Sequence, residues 1–414
     1  MLHEKSAESS LTRHLGLVAL TGIAGAASAA LYLPALRRLS LFFGPEAWAG
    51  RPLTHLLVLV GAGAAVAAIA RRVGPSGSVE LLVDNIHVRG GSEGARELLA
   101  LIPASLVCIA AGGAAGPEAP LVQTTGTIGS RLADGFGLEA VDKRVLTITG
   151  MAAGFTALFG APIGAAIFAL EILHRRGLEY HEALMPAVIG SLCGYAAYVV
   201  LTGFGLAPTW SFPVVAALRP ADLAWAAAAG VAAAAVAAAF TTAHHALAAL
   251  FARLPGWSRP VLGGLSLGLL ALASPYALTF GEDQLGSLLG AAPVAIFFAT
   301  AALAKFCGTA LTVSSGWKGG FIIPLFFIGA CLGRLAHAAF PLSNEIVLMA
   351  ALMAATNAAV TKTPLGSALV VAGMTGLRLL PTTLIATVVA LLLADGFSLI
   401  HTQRPRALDG PASA

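Results

Sequence analysis

Glu118 is the acid in the stretch Ala110 to Gly129, AAGGAAGPEAPLVQTTGTIG, where every neighbour is small, apolar or uncharged. In such surroundings a carboxylate can take up and release a proton, or, ionised, it can stand where another small anion would bind. The flanking residues supply a place for an anion. In GPEAP, Gly116 allows a sharp turn, and Pro120 tolerates a helix's first turn because its missing N–H would be unpaired there. The segment reads as a helix N-terminus, whose free N–H groups and positive dipole end attract anions. GFIIP, Gly320 to Pro324, has the same form. One helix end contributes only about 0.3–2 kcal/mol, too little to strip water from an ion, so several must converge. GPSGSVE, Gly74 to Glu80, is a third candidate, with the Ser76 hydroxyl beside backbone N–H groups; taken alone it reads as readily as a plain N-cap. On this reading Glu118 is a plug that occupies the positive site when no anion does, and also a proton acceptor. The plainer alternative is a Glu that caps a helix dipole at a membrane surface.

The elements that must hold these residues are membrane helices. The chain is 57% hydrophobic and 11% charged, with a mean hydropathy of +0.85, values outside the range of soluble domains. A spanning helix needs about 20 apolar residues. Leu15 to Phe43, Leu53 to Ala70, Ala183 to Leu201, Ala221 to Leu250, Val261 to Leu278 and Ala292 to Phe306 are expected to span the bilayer. Ser105 to Gly116, Pro120 to Leu132, Gly320 to Leu335 and Thr382 to Leu393 are shorter and interrupted, and read as tilted or broken helices. A net charge of +4 with no basic run makes nucleic acid an unsuited partner. Cys108, Cys193, Cys307 and Cys331 are scattered through apolar segments without CxxC spacing and read as reduced core residues, with no metal expected. The apolar run after the polar start is too long for a cleaved signal, and the HRR at His174 to Arg176 favours a cytoplasmic loop. The short end, TQRPRALDGPASA, leads to no expectation of an appended regulatory domain.

The chain also repeats itself. AAGFTALFGAPIGAA, Ala152 to Ala166, matches AATNAAVTKTPLGSA, Ala354 to Ala368, without a gap, with Pro162 and Pro364 set 202 residues apart. Upstream, Gly116-x-Glu118-x-Pro120 lies over Gly320-x-Ile322-x-Pro324, and Gly129 over Gly333, at a spacing of 204. Two matches at nearly one spacing divide the chain into halves, residues 1–205 and 206–403, with a short tail, 404–414. Paired, Gly/Pro-interrupted apolar segments in two halves point to an ion site near the bilayer midplane.

These residues resemble the CLC family of chloride channels and chloride/proton antiporters. The family's Gly-(Lys/Arg)-Glu-Gly-Pro is similar to GPEAP, its Gly-Ser-Gly-Ile-Pro-Glu to GPSGSVE, its Gly-x-Phe-x-Pro to GFIIP, and its longest motif to GMAAGFTALFGAPIGAAIFALE, Gly150 to Glu171. The resemblance runs from the first span to His401. It implies an all-α polytopic membrane protein of two inverted repeats with broken and re-entrant helices, assembled as a homodimer with one pore per subunit. It further implies a bacterial inner-membrane location, transported chloride or a similar monovalent anion, and no cofactor. By motif position Glu118 is the gating glutamate, Ser76 a central anion ligand, and Phe321 and Ile322 backbone donors. Gly77, Gly116, Pro117 and Gly320 complete the anion-binding set. By the same resemblance, Ala183 to Leu201 and Ala292 to Phe306 belong to the dimer interface, with Gly190 and Ala302 as probe positions.

Several positions depart from the family pattern. Pro117 and Ala119 replace the basic residue and the second glycine of the Glu118 motif. The tyrosine that faces the central anion falls on Ile400, when FSLIHTQ is taken as a final helix. The inner proton-relay acid falls on Ile172, and Glu171, one residue earlier, points about 100° away on a helix. Lys305, Lys318 and Lys362 are unusual in apolar context; Lys318, before GFIIP, either adds positive potential or snorkels. Anion transport with loosely coupled proton exchange is the expected function, and a passive channel is the alternative. A remote alternative, an intramembrane serine protease built on GPSG, needs His87 or His401 beside Ser76.

Overall fold

The computed structural model describes all residues except 1, 75, 93–94, 204–209, 211, 291–293 and 406–414. Most of the expected tail, 404–414, therefore lies outside the described residues. The helices follow in the order α1 Leu2–Phe43, α2 Pro52–Val73, α3 Val79–Arg89, α4 Ala95–Ala110, α5 Glu118–Gly135, α6 Ala140–Phe159, α7 Pro162–Glu171, α8 Leu184–Thr202, α9 Pro220–Ala252, α10 Ser258–Ala273, α11 Glu282–Gly290, α12 Ala295–Ser314, α13 Ile322–Ala339, α14 Glu345–Thr361, α15 Pro364–Thr375 and α16 Leu380–Leu393. Among the described residues six helices are long and apolar enough to cross a membrane.

Local chemistry explains where these helices begin. Proline sits in the first turn of α2, α7, α9 and α15, where its lost N–H costs nothing. Asn344 caps α14 through the N–H groups of Ile346 and Val347, and Ser78 caps α3 through Leu81 N–H. Two expectations change. The run Val261 to Leu278 is broken: α10 stops at Ala273, because Pro275 holds Ser274 out of the helical region (ψ 123°). Gly320 to Leu335, expected to be interrupted, enters an unbroken 18-residue helix, Ile322–Ala339, since Pro324 falls in its first turn.

Close helix packing runs through glycine. A Cβ on Gly129 would overlap the Leu146 carbonyl of α6, and one on Gly333 would press on the Met349 backbone of α14. The pairs α5–α6 and α13–α14 thus use glycines that the sequence places in register. The contacts between α7 and α15 are reciprocal: Gly164 abuts the backbone of Val370, and Gly366 abuts that of Phe168. Gly160 ends α6 in the left-handed region at φ +63°, and Lys362 ends α14 at the same angle. That conformation costs a side-chain-bearing residue about 1–2 kcal/mol. The cost is offset where the buried Lys362 ammonium donates to Ala359 O (2.9 Å) and Ala394 O (2.6 Å), the carbonyl ends of α14 and α16.

Lys305 is also held inside the protein. It is fully buried and donates to Leu278 O (2.5 Å), Thr279 O (2.7 Å) and Gln284 Oε1 (2.8 Å), tying the α10–α11 connection to α12. Gly190 and Ala302 both face inward. A Cβ on Gly190 meets the Thr149 methyl, and Ala302 is 5% exposed in the main core, so a Trp at either position tests packing within one subunit rather than an interface.

One face of the bundle gathers many arginines, some of them paired with acids. Consecutive spans α1 and α2, joined by a short turn, return Arg71 and Arg72 to the face where α1 begins. His14 lies 3.8 Å from Asp142 at the start of α6, and Arg144 stacks over Tyr180, so the loop with Arg175 and Arg176 is there too. Arg253 and Arg259 join them at the end of α9. Arg176 pairs with Asp395, which clamps the loop after α7 to the end of α16 and holds the Asp395 carboxyl below its usual range.

Candidate functional site

The connections that enter α5 and α13 meet as a two-stranded bridge. Gly116 N–H donates to Gly320 O (2.7 Å) and Gly320 N–H donates to Gly116 O (2.6 Å). This corrects one expectation: the N–H groups of Gly116 and Gly320 are spent on each other and cannot serve an anion. Their contribution is the missing Cβ. A Cβ on either glycine would overlap the Glu118 carboxylate, so the pair forms a notch into which that carboxylate fits.

Glu118, first residue of α5 after Pro117 at the cap, reaches across to α13, where its Oε1 accepts from Ile323 N–H at 2.5 Å. The residue is 1% exposed, and Oε2 has no hydrogen-bond partner. Among the described residues no Lys, Arg or His pairs with it. The carboxylate sits at the α13 N-terminus, where Phe321 is the cap and Phe321 and Ile322 precede the first intrahelical donor. The sequence points to Phe321 and Ile322 as donors at this helix end, whereas the donor that Glu118 uses is Ile323.

Ser76 and Gly77 lead into α3. The cap is made by Ser78, not Ser76, and the Ser76 hydroxyl makes no hydrogen bond among the described residues. A Cβ on Gly77 would lie 2.8 Å from Gln123 Oε1 on α5, so the glycine lets the α3 lead pass close to the helix that begins at Glu118. Ser76 lines a cavity of about 480 Å³ on the basic face, and Pro117 lines one of about 910 Å³ with Arg37 and Glu282 towards the other face. Glu118 itself lines neither cavity.

Ile400 is 2% exposed and shares an apolar cluster with Ile172 and Ile322, against which Phe321 and Val79 pack. Its segment is not the final helix that the sequence suggested. Residues 397–405 run as a bend, a turn and irregular backbone, with polar contacts to other elements: His401 N–H and the Thr402 hydroxyl bind Glu80, and Arg404 pairs with Asp84.

Glu171 and Ile172 end α7. The Glu171 carboxylate accepts from Leu365 N–H (3.1 Å) and Gly366 N–H (2.7 Å) at the start of α15. Ile172 is 2% exposed, and its carbonyl accepts from Gln403 Nε2 at 3.0 Å. Sequence reasoning missed Gln403, which also donates to Thr361 O (2.8 Å), and the buried chain Asn357–Ser367–Thr363–Thr361 beside it. Scattered hydroxyls in apolar runs gave no periodic signal. The protease alternative fails on geometry: His87 is engaged by Tyr180 (2.7 Å) and Leu173 O (2.8 Å), and His401 by His245 (3.1 Å), so neither serves Ser76.

Comparison with known proteins agrees with this architecture. The family model described as voltage gated chloride channel matches residues 62–395. A chloride/fluoride channel protein of Pseudomonas syringae pv. tomato is 30% identical over 412 residues, covering 94% of this chain and 85% of that protein. A voltage-gated ClC-type chloride channel of Shigella flexneri is 30% identical over 69% of this chain and 70% of its own. Among solved structures, a CLC-type fluoride/proton antiporter superposes with a TM-score of 0.82 at 24% identity, covering 95% of this chain and 98% of that one. A slow cyanobacterial Cl⁻/H⁺ antiporter does so at 0.81 and 22%, covering 93% and 96%. These two likenesses speak for the fold.

Proposed function

This chain belongs to the voltage-gated chloride channel (CLC) family, and on that premise we propose that it carries a small monovalent anion, chloride or fluoride, across a bacterial inner membrane, with Glu118 as the gate. It is a membrane transport protein rather than an enzyme. The observation that carries the reading is the Glu118 carboxylate seated in the Gly116/Gly320 notch on the N-terminus of α13. An anion that takes the place of Oε1 finds the same dipole end, and the displaced carboxylate, once protonated, is free to leave. Ser76, Gly77, Phe321, Ile322 and Ile400 are assigned to the path on the basic side of the gate. The basic face lies in the cytoplasm by the positive-inside rule.

Proton exchange is assigned as loosely coupled. Ile172 supplies no titratable group, and Glu171 has both oxygens bound to α15, so water must carry a proton beyond Glu118. Two repeats, 1–205 and 206–403, and a homodimer complete the proposal; the reciprocal Gly164/Gly366 contacts and the Gly116–Gly320 bridge support the former, and light scattering in detergent tests the latter.

The deciding experiment is efflux from liposomes with chloride, fluoride and pH recorded together. Wild-type flux rises as pH falls, because a protonated carboxyl is a weaker acceptor for Ile323 N–H. Glu118→Gln transports without that dependence and without proton movement. An unchanged pH profile removes Glu118 from the gate.

A further inference from the structure

Ser76 and Lys318 share the cavity of about 480 Å³ on the basic face, a volume far beyond the needs of one small anion. Its walls are of two kinds. Val66, Ala67 and Ala70 of α2 with Ala100 and Ala104 of α4 form an apolar side. Arg71, Arg259 and Lys318 supply the charged lining, and no Asp or Glu lines it. Lys318 is held by its backbone, whose N–H lies 3.2 Å from Cys108 Sγ, while its ammonium has no hydrogen bond or ion pair among the described residues. Arg259 is fixed by Leu254 O and Ala252 O, both at 3.0 Å, so its charge is kept at the rim. Trp257, also at the rim, is 58% exposed, as suits an indole at the boundary between hydrocarbon and water.

Cations without counter-charge over an apolar wall fit an amphipathic anion, and basic pockets between membrane helices on the cytoplasmic side suit lipid head groups. We propose that this cavity holds an anionic phospholipid, its phosphate between Arg71 and Lys318 and the first part of one chain along Val66, Ala70 and Ala100. A peptide would need hydrogen-bonding groups that this wall lacks, and a free halide would leave the apolar side unused. The lipid also touches function. Lys318 stands two residues before Gly320 in the lead to α13, and Ser76 stands in the lead to α3, so an occupied cavity steadies both leads and raises transport. That consequence rests on the transport reading; the binding does not.

The test is lipid binding to the delipidated full chain by native mass spectrometry, with phosphatidylglycerol and phosphatidylcholine as probes and no transport readout required. Wild type retains phosphatidylglycerol preferentially. Lys318→Gln weakens that retention about fivefold, the worth of one basic residue at a lipid surface. Ala70→Trp fills the exposed side of the cavity and removes the preference with every charge in place. Arg72→Gln, next to the cavity but outside its wall, leaves the preference intact and controls for general surface charge. Equal retention of both lipids by wild type overturns the proposal, as does an unchanged preference in folded Lys318→Gln and Ala70→Trp. Displacement of phosphatidylglycerol by millimolar inorganic phosphate assigns the cations to a free anion and overturns the lipid.

Discussion

Glu171 Oε2 accepts the Gly366 N–H at 2.7 Å, which sets an acid from the end of α7 on the N-terminus of α15 much as Glu118 is set on that of α13. The two acids differ in what remains unpaired. Both Glu171 oxygens are satisfied, by Leu365 and Gly366, whereas Glu118 Oε2 is buried without a partner. A buried acceptor left unsatisfied costs about 1–3 kcal/mol, which weakens the hold on Glu118 and not on Glu171. Glu171 is held as a strut, and the proposed gating role assigns movement to Glu118.

The strut is tested by Glu171→Gln. The amide cannot accept from both α15 N–H groups, so the variant is expected to lose about 1–3 kcal/mol of stability. Thermal melting in detergent reads the loss, and the pH dependence of flux is expected to persist. A variant that melts like wild type while losing that dependence makes Glu171 part of the proton route.

The notch is tested by Gly320→Ala. The added methyl overlaps the Glu118 carboxylate while the backbone bridge to Gly116 keeps its N–H and carbonyl. The carboxylate is pushed off Ile323, and flux at neutral pH rises towards that of Glu118→Gln. Flux still closed at neutral pH places the carboxylate elsewhere in the working protein.

At the inner end, Ile400→Tyr returns a hydroxyl to the apolar cluster around Ile322. Tighter anion binding by calorimetric titration is expected, together with about 1–3 kcal/mol of overpacking cost in a site that is 2% exposed. Equal affinities would leave the central site to backbone donors alone.

Coupling is read from the reversal potential. Each pH unit is worth about 1.4 kcal/mol to a linked exchanger and nothing to a channel. The wild type is expected to shift weakly with pH, and Ile172→Glu, at the buried end of α7, to enlarge the shift. A steep wild-type stoichiometry that the substitution leaves unchanged sends the proton by another route.

The sequence by itself determined a great deal. Hydropathy named five of the six long spans, because burial in lipid demands length and apolarity that can be counted along the chain. The Gly-x-x-x-Pro spacing named the starts of α5 and α13, because glycine and proline act on their own backbone. The offset of Gly129 from Gly333 marked equivalent positions in the two halves, and the structure makes each a close helix contact. Tertiary structure decided whatever depended on partners distant in the chain. The Gly116 and Gly320 N–H groups looked free and are consumed by each other across 204 residues. Ile323 rather than Phe321 or Ile322 receives Glu118, because the reach of one side chain across the bridge selects the donor. FSLIHTQ has a helix-compatible pattern, yet it is held out of a helix by contacts to Glu80, Asp84 and the carbonyls that bind Gln403. Lys305 and Lys362 have side chains long enough to snorkel, and only the arrangement of carbonyls around each shows that they stay inside. Local propensity fixes where a helix starts; which charge meets that start is a long-range hydrogen bond, and no periodicity in the chain encodes it.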